Sequence, residues 1–212
     1  MCDPIPISIK SGETVLEGVL VGLMARSNSN ELEYLQIGQR VGAVTEKIKN
    51  FKFPRGHIII NLWINHLLAC ASGLKLTSVQ IGSDAQIILN PLSIQKSLDI
   101  LAKLVDHYEM AWSSPLPVAC KTAWIWLQTQ LYNQSLIDPN NKDESEDLDE
   151  AASSVFESSF HKKGELEESV YLKRAFNGYD DLREKISELS NSLYGDLACA
   201  SVVNMFSDEE TP

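Results

Sequence analysis

One short segment carries residue types and spacing suited to chemistry with a polyanion. Residues Glu46–His57 read Glu-Lys-Ile-Lys-Asn-Phe-Lys-Phe-Pro-Arg-Gly-His. Lys47, Lys49, Lys52 and Arg55 are interleaved with Ile48, Phe51 and Phe53. Basic side chains track phosphates, and aromatic rings stack on unpaired bases. Lys47, Lys49, Phe51, Lys52, Phe53 and Arg55 are therefore the candidate nucleic-acid contacts. The same pattern also fits a strand or loop with its apolar residues turned inward and its lysines in water.

Other chemistry finds little support. The sequence holds no G-x-x-x-x-G-K-[ST] and no strand-linked G-x-G-x-x-G, so no nucleotide-binding loop is visible. It has no H-E-x-x-H and no serine in G-x-S-x-G. The histidines His57, His66, His107 and His161 are scattered. His66 lies inside an apolar run and reads as a core histidine with a hydrogen-bond partner rather than a ligand. Cys2, Cys70, Cys120 and Cys199 are far apart, which argues against a zinc ribbon, an iron–sulfur cluster or a disulfide framework. No metal, cofactor or nucleotide is expected. No secretory leader, transit peptide or transmembrane run is visible, so the expected address is the cytoplasm.

Charge narrows the partners. Residues 1–137 carry 11 Lys/Arg and 10 Asp/Glu, a net of +1; residues 138–212 carry 7 and 19, a net of −12. An acidic chain does not coat a polyanion with its whole surface. Nucleic-acid contact is expected to be local and in the first part, while the acidic second part could face a basic partner surface.

These residues need elements to hold them. Gly56–Gly73 has only Asn61, Asn65 and His66 as strongly polar side chains between Ile58 and Ala71. A helix apolar nearly all round must be covered on most sides. It is predicted as a central buried helix stopped by Gly73; a buried strand over His57–Leu62 is the alternative, because Ile-Ile-Ile is β-branched. Strands are predicted at Ile5–Lys10, Thr14–Leu23 and Glu31–Val41, the third pairing back as a hairpin, and at Leu74–Ile81 and Gln86–Leu89 around a turn at Gly82-Ser83-Asp84. Residues 93–112 form an amphipathic helix with Ile94, Leu98, Leu101, Val105, Tyr108 and Trp112 on one stripe. Ser114-Pro115-Leu116-Pro117 ends it. A helix over Thr122–Asn133 follows, with Trp124, Leu127 and Leu131 on one side. An acidic loop is expected at 138–150. A helix then starts from Asp147, with Glu150 placed as in a capping box, and buries Leu148, Ala152, Val155 and Phe156. His161–Glu168 is a polar connection. The last helix carries Leu182, Ile186, Leu189 and Leu193. The order predicts an α/β (α+β) domain over residues 1–206 with a mixed sheet of about five strands, and a disordered tail at 207–212.

Three stretches together resemble one family, the C-terminal domain of the exodeoxyribonuclease V gamma subunit (the RecC family). Leu62-Trp63-Ile64-Asn65-His66-Leu67, running into Cys70-Ala71-Ser72-Gly73, is similar to its W-x-x-H-L helix. Pro115-Leu116-Pro117, Lys121-Thr122-Ala123-Trp124 and Trp126-Leu127 are similar to its P-L-P segment and aromatic-rich helix. Gly164-Glu165 through Glu168, Tyr171-Leu172, Arg174-Ala175-Phe176 and Tyr194-Gly195-Asp196-Leu197 are similar to its closing region. The motif core is thus Trp63, His66, Leu67, Pro115, Pro117 and Trp124.

The resemblance implies a restriction-endonuclease-like fold. Active members of that superfamily place an acid at one strand end and Asp/Glu-x-Lys on the next strand, to hold magnesium. Here Gly18-Val19-Leu20-Val21 and Leu35-Gln36-Ile37-Gly38 stand where those residues would be sought, and no Asp or Glu in the chain is followed two residues later by Lys. The implied protein is a catalytically degenerate, non-enzymatic member. The implied partners are DNA and the alpha and beta subunits of the helicase–nuclease. Two rival readings stay open. One is an active nuclease with a rearranged site, for which Asp84, Asp99 and Asp106 are the spare acids. The other is an unrelated interaction domain that shares helix composition.

Overall fold

A computed structural model of the chain describes residues 2–28, 31–49, 51–135, 147–160 and 162–206. Most of the expected acidic loop, His161 and the tail 207–212 lie outside the described residues. In chain order the elements begin with β1 (Ile5–Ser11), β2 (Thr14–Leu20), β3 (Met24–Asn28), β4 (Glu31–Gln39), β5 (Thr45–Ile48) and β6 (Phe51–Pro54). Helix α1 (Gly56–Ala71), β7 (Lys75–Ile81), β8 (Ala85–Leu89), α2 (Ile94–Ser113) and α3 (Cys120–Ser135) follow. The chain continues through α4 (Leu148–Phe156), α5 (Glu165–Glu168), α6 (Val170–Ala175), α7 (Asp180–Ala200) and β9 (Ser201–Met205). It divides into two compact units. Unit 1 holds residues 1–46, 58–106 and 200–212; unit 2 holds 47–57 and 107–199. Among the described residues, no helix is long and apolar enough to cross a membrane.

Unit 1 is built on a five-stranded mixed sheet in the order β3-β4-β7-β8-β9. β4 and β7 run parallel, with Glu33 opposite Lys75. The β3–β4, β7–β8 and β8–β9 pairs are antiparallel. Parallel neighbours need a crossover, and the chain from β4 to β7 contains α1. Strand alternation then decides the core: Leu76, Ser78 and Gln80 of β7 and Ala85, Ile87 and Leu89 of β8 are buried. From α1, Ile59, Leu67 and Ala69 are fully buried, which settles helix over strand for this run. Its end follows the αL stop expected for Gly73, at φ 83°. The Leu74 N–H donates to Ala69 O and the Gly73 N–H to Cys70 O, a pair of bonds that closes the last turn.

Several expected elements shift. The second strand stops at Leu20 rather than Leu23, because Gly22 turns the chain at φ 73° and a new strand, β3, begins at Met24. β4 therefore forms its hairpin with β3, and β1 and β2 pair with each other in a separate two-stranded sheet. β4 ends at Gln39, leaving Val41 fully exposed before Gly42. The fifth strand of the sheet is β9, which the sequence reading did not separate from the helix before it. On α2 the buried side chains are Ser97, Ile100, Leu101 and Val105. The buried stripe is shorter than the helical period predicts: Ile94, Tyr108 and Trp112 are exposed.

Unit 2 is mainly helical. Ala119, Ala123 and Trp126 of the α3 region pack with Ala152 and Phe156 of α4 and with Tyr179, Leu182 and Ile186. Asp147 caps α4 by accepting from the Asp149 and Glu150 amides, as the sequence predicts. The polar connection 161–168 ends in α5, which the sequence did not indicate. From it the buried Glu165 carboxylate reaches the N-terminus of α3. It accepts from the Lys121 N–H at 2.9 Å, the Thr122 N–H at 2.8 Å and the Thr122 hydroxyl at 2.9 Å. A negative group there satisfies orphan amides and complements the positive end of the helix dipole.

Candidate nucleic-acid interface

The basic segment is held by one stripe of α3. Trp124, Gln128 and Tyr132 recur every four residues, so they share a face. The Trp124 indole N–H donates to the Pro54 carbonyl at 2.6 Å, and the Gln128 side-chain amide donates to the same oxygen at 2.5 Å. A carbonyl oxygen has two lone pairs, so it can take both donors. One helical turn further on, the Tyr132 ring meets Phe51 edge-on, with centroids 5.5 Å apart. Phe51 in turn lies 6.4 Å from Phe53. Gly56 completes the clamp. A Cβ there would come within 2.1 Å of the Trp124 ring, so this close approach needs a residue with no side chain.

The clamp decides what remains outside. Ile48 is buried, while Lys47, Lys49 and Lys52 are exposed and Arg55 is half-buried. Phe53 is half-buried; Phe51 keeps 48% of its surface exposed despite its contact with Tyr132. Ile48 turns in and the lysines face water, as the inward-apolar reading expects, while the Phe51 ring stays about half exposed. Lys49 sits at the turn after β5 with φ 50°. Among the described residues, no carboxylate forms an ion pair with Lys47, Lys52 or Arg55.

Charge sorted by unit differs from charge sorted along the chain. Unit 1 carries 6 Lys/Arg and 12 Asp/Glu, a net of −6; unit 2 carries 12 and 17, a net of −5. The contrast between the two halves of the sequence does not become a contrast between units. It becomes local to unit 2: residues 47–57 hold four cations and no acid, while residues 107–199 hold 8 cations and 17 acids.

Three residues of the family motif lie in the core. Trp63, His66 and Leu67 are buried in unit 1, and Trp63 stacks on the His66 ring at 5.8 Å. His66 Nε2 lies 3.1 Å from the Asn90 carbonyl, which can only accept, so Nε2 carries the proton. Nδ1 then accepts from the Ser78 hydroxyl at 3.0 Å. Burial pushes the His66 pKa down to about 4, against a smaller opposing effect of the Asn90 bond. It is a core histidine. Burial likewise raises the neighbouring Cys70 thiol. In unit 2, burial and the Glu165 charge push Cys120 up to about 11. Pro115 is exposed and Pro117 half-buried in the turn after α2.

Two of the spare acids, Asp84 and Asp99, accept hydrogen bonds from neighbouring groups. β2 and β4, where an acid and an Asp/Glu-x-Lys were sought as neighbouring strands, lie in different sheets. Asp84 accepts from the Val44 N–H at 2.8 Å and from Thr45, pinning the loop before β5. Its partial burial alone would raise its pKa, but these bonds outweigh that and lower it. Asp99 accepts from Gln95 at 2.8 Å on the exposed side of α2. Glu33 pairs with Lys75 at 2.9 Å. Among the described residues, no three His, Cys, Asp or Glu side chains stand together as a metal-binding group.

Gln128 and Tyr132 were not recognised from the sequence, although their spacing from Trp124 was legible. Their partners lie more than 70 residues away along the chain, which no local pattern reveals.

Comparison with known proteins agrees with the resemblance. One relative, the RecBCD enzyme subunit RecC of Escherichia coli (strain K12), is 29% identical over 85 residues. That match covers 39% of this chain and 8% of the relative, so the chain spans a small part of that protein's length. The family described as RecC C-terminal domain matches residues 2–131, which include the first two motif stretches; the third lies beyond the match. With more than half of its length matched, the chain belongs to the RecC C-terminal domain family.

Proposed function

We propose that residues 1–206 act as a non-catalytic scaffold domain of a RecBCD-type helicase–nuclease, working in the cytoplasm in double-strand break repair. The domain docks the alpha helicase subunit within the assembly that includes the beta subunit. It also guides single-stranded or forked DNA along Lys47, Lys49, Lys52 and Arg55, with Phe51 offering a ring face to an unpaired base. In this reading the sheet and its helices are a restriction-endonuclease-like scaffold that has lost its metal-binding carboxylates. The observation that carries the DNA contact is the basic island of unit 2, four cations clamped by α3 within an otherwise acidic unit.

Replacing Lys47, Lys49, Lys52 and Arg55 together by Ala tests it. Each phosphate contact on a single strand contributes about −0.7 to the slope of log K against log salt, so losing four flattens the slope by about 3. An unchanged slope would rule the contact out. The purified chain is expected to leave DNA uncut in the presence of magnesium.

A further inference from the structure

Two of the stretches that carry the family resemblance meet at a second place in unit 2. Pro115 and Leu116, from the turn after α2, face Tyr171, Leu172, Arg174 and Phe176, from α6 and its end, across a groove of about 350 Å³. The floor is fixed. Leu172 and Phe176 pack against the helical core of the unit, Ser169 caps α6 through the Leu172 amide, and the Phe176 N–H returns to Leu172 O. The opposite wall is stiffened by Pro115, whose ring locks its φ. The rim is open: Tyr171 is 82% exposed and Val170 is exposed beside it.

Among the described residues, Arg174 is the one charged side chain lining the groove. It is exposed, and among the described residues no carboxylate pairs with it. Its neighbours are already committed, Lys173 to Glu167 and Lys121 to Glu168. An apolar trough with one uncommitted guanidinium favours a ligand that is apolar with a carboxylate beside it. Planar guanidinium binds carboxylate through two parallel hydrogen bonds. A nucleic acid would need several cations along its track, and the groove has one.

We propose that this groove docks an acidic, apolar segment of a partner polypeptide, one apolar side chain seated over Leu172 and Phe176 and a carboxylate on Arg174. Preformed walls lower the ordering cost of binding, which suits a short segment. The proposal rests on the docking reading above and gives that docking a surface.

The test uses the purified 212-residue chain with fluorescent peptides tiled across the alpha and beta subunits, read by anisotropy. The variants are Tyr171→Ala and Arg174→Glu; both side chains are exposed, so an unchanged melting temperature is expected and serves as the folding control. The expected binders carry Asp or Glu next to apolar residues, and each variant weakens them about tenfold or more, as for a hot-spot residue. Exchanging the peptide carboxylate for Lys should restore binding to Arg174→Glu. Peptides that bind both variants as tightly as the unmodified chain, or no binding peptide at all, overturn the proposal. So does a self-association of the chain that the same variants abolish, since the occupant is then a second copy. If an intact subunit binds the unmodified chain and both variants alike, the groove is wrong and the docking reading survives. If acidic peptides bind through Arg174 while neither intact subunit binds, the groove stands and the docking reading fails.

Discussion

At the scale of single residues, the chain separates groups that only look reactive from groups whose position gives them work. His66 is the clearest case of the first. Both ring nitrogens have partners, and burial lowers its pKa from 6.5 to about 4. The unfolded chain therefore binds this proton first as the pH falls. The stabilising contribution is complete above about pH 6.5 and is lost progressively between there and about pH 4, a loss of up to about 3 kcal/mol. Urea midpoints of the unmodified chain and His66→Gln, measured at pH 7.5 and pH 4.5, check this. The variant should be less stable at the higher pH, and the gap between the two proteins should narrow at the lower one. A gap independent of pH would mean that the ring does not stay neutral in the fold.

At the scale of elements, α3 does most of the positioning in unit 2. Its N-terminus is held by Glu165, and its Trp124–Gln128–Tyr132 stripe holds β6. The double variant Trp124→Phe, Gln128→Met keeps apolar volume and removes both donors from the Pro54 carbonyl. Leaving that buried acceptor unpaired should cost about 1–3 kcal/mol. The loss should show first as faster amide hydrogen exchange over residues 51–55, while β7 and β8 in unit 1 keep their protection. Equal loss in both places would mean that the clamp supports the whole fold rather than the basic segment. Glu165→Gln separates charge from hydrogen bonding at the other end of α3. It keeps an acceptor but loses the charge-assisted bonds, and a fall in stability of about 1 kcal/mol or more is expected by thermal unfolding.

At the scale of the whole molecule, charge is the property with consequences for partners. Both units are net negative, so binding to a polyanion has to be local. Lys75, Lys96 and Lys103 lie in unit 1. Replacing them by Ala should leave the salt slope of single-strand binding within error of the unmodified chain, while the four-residue change in 47–55 flattens it. Equal effects from both sets would show that binding follows net charge and has no address on the surface.

Much is legible in the amino-acid sequence by itself. The apolar run from Ile58 to Ala71, the αL stop at Gly73, the turn at Gly82-Ser83-Asp84 and the cap at Asp147 all follow from local sterics and hydrogen bonding, which nearby residues control. The composition of the basic segment and the lack of an Asp/Glu-x-Lys were equally plain. Tertiary structure alone decided which strands share a sheet: β1 and β2 left it, and β3 and β9 joined it, because pairing is settled by partners far along the chain. It also truncated the buried stripe on α2, since a helical period gives a face but not the length over which that face is covered. It brought Pro54 to Trp124 and Gln128, and Pro115 to Tyr171, by packing across long stretches of sequence. The residues of the candidate sites were written in the sequence; their neighbours were not, because neighbours are made by the fold.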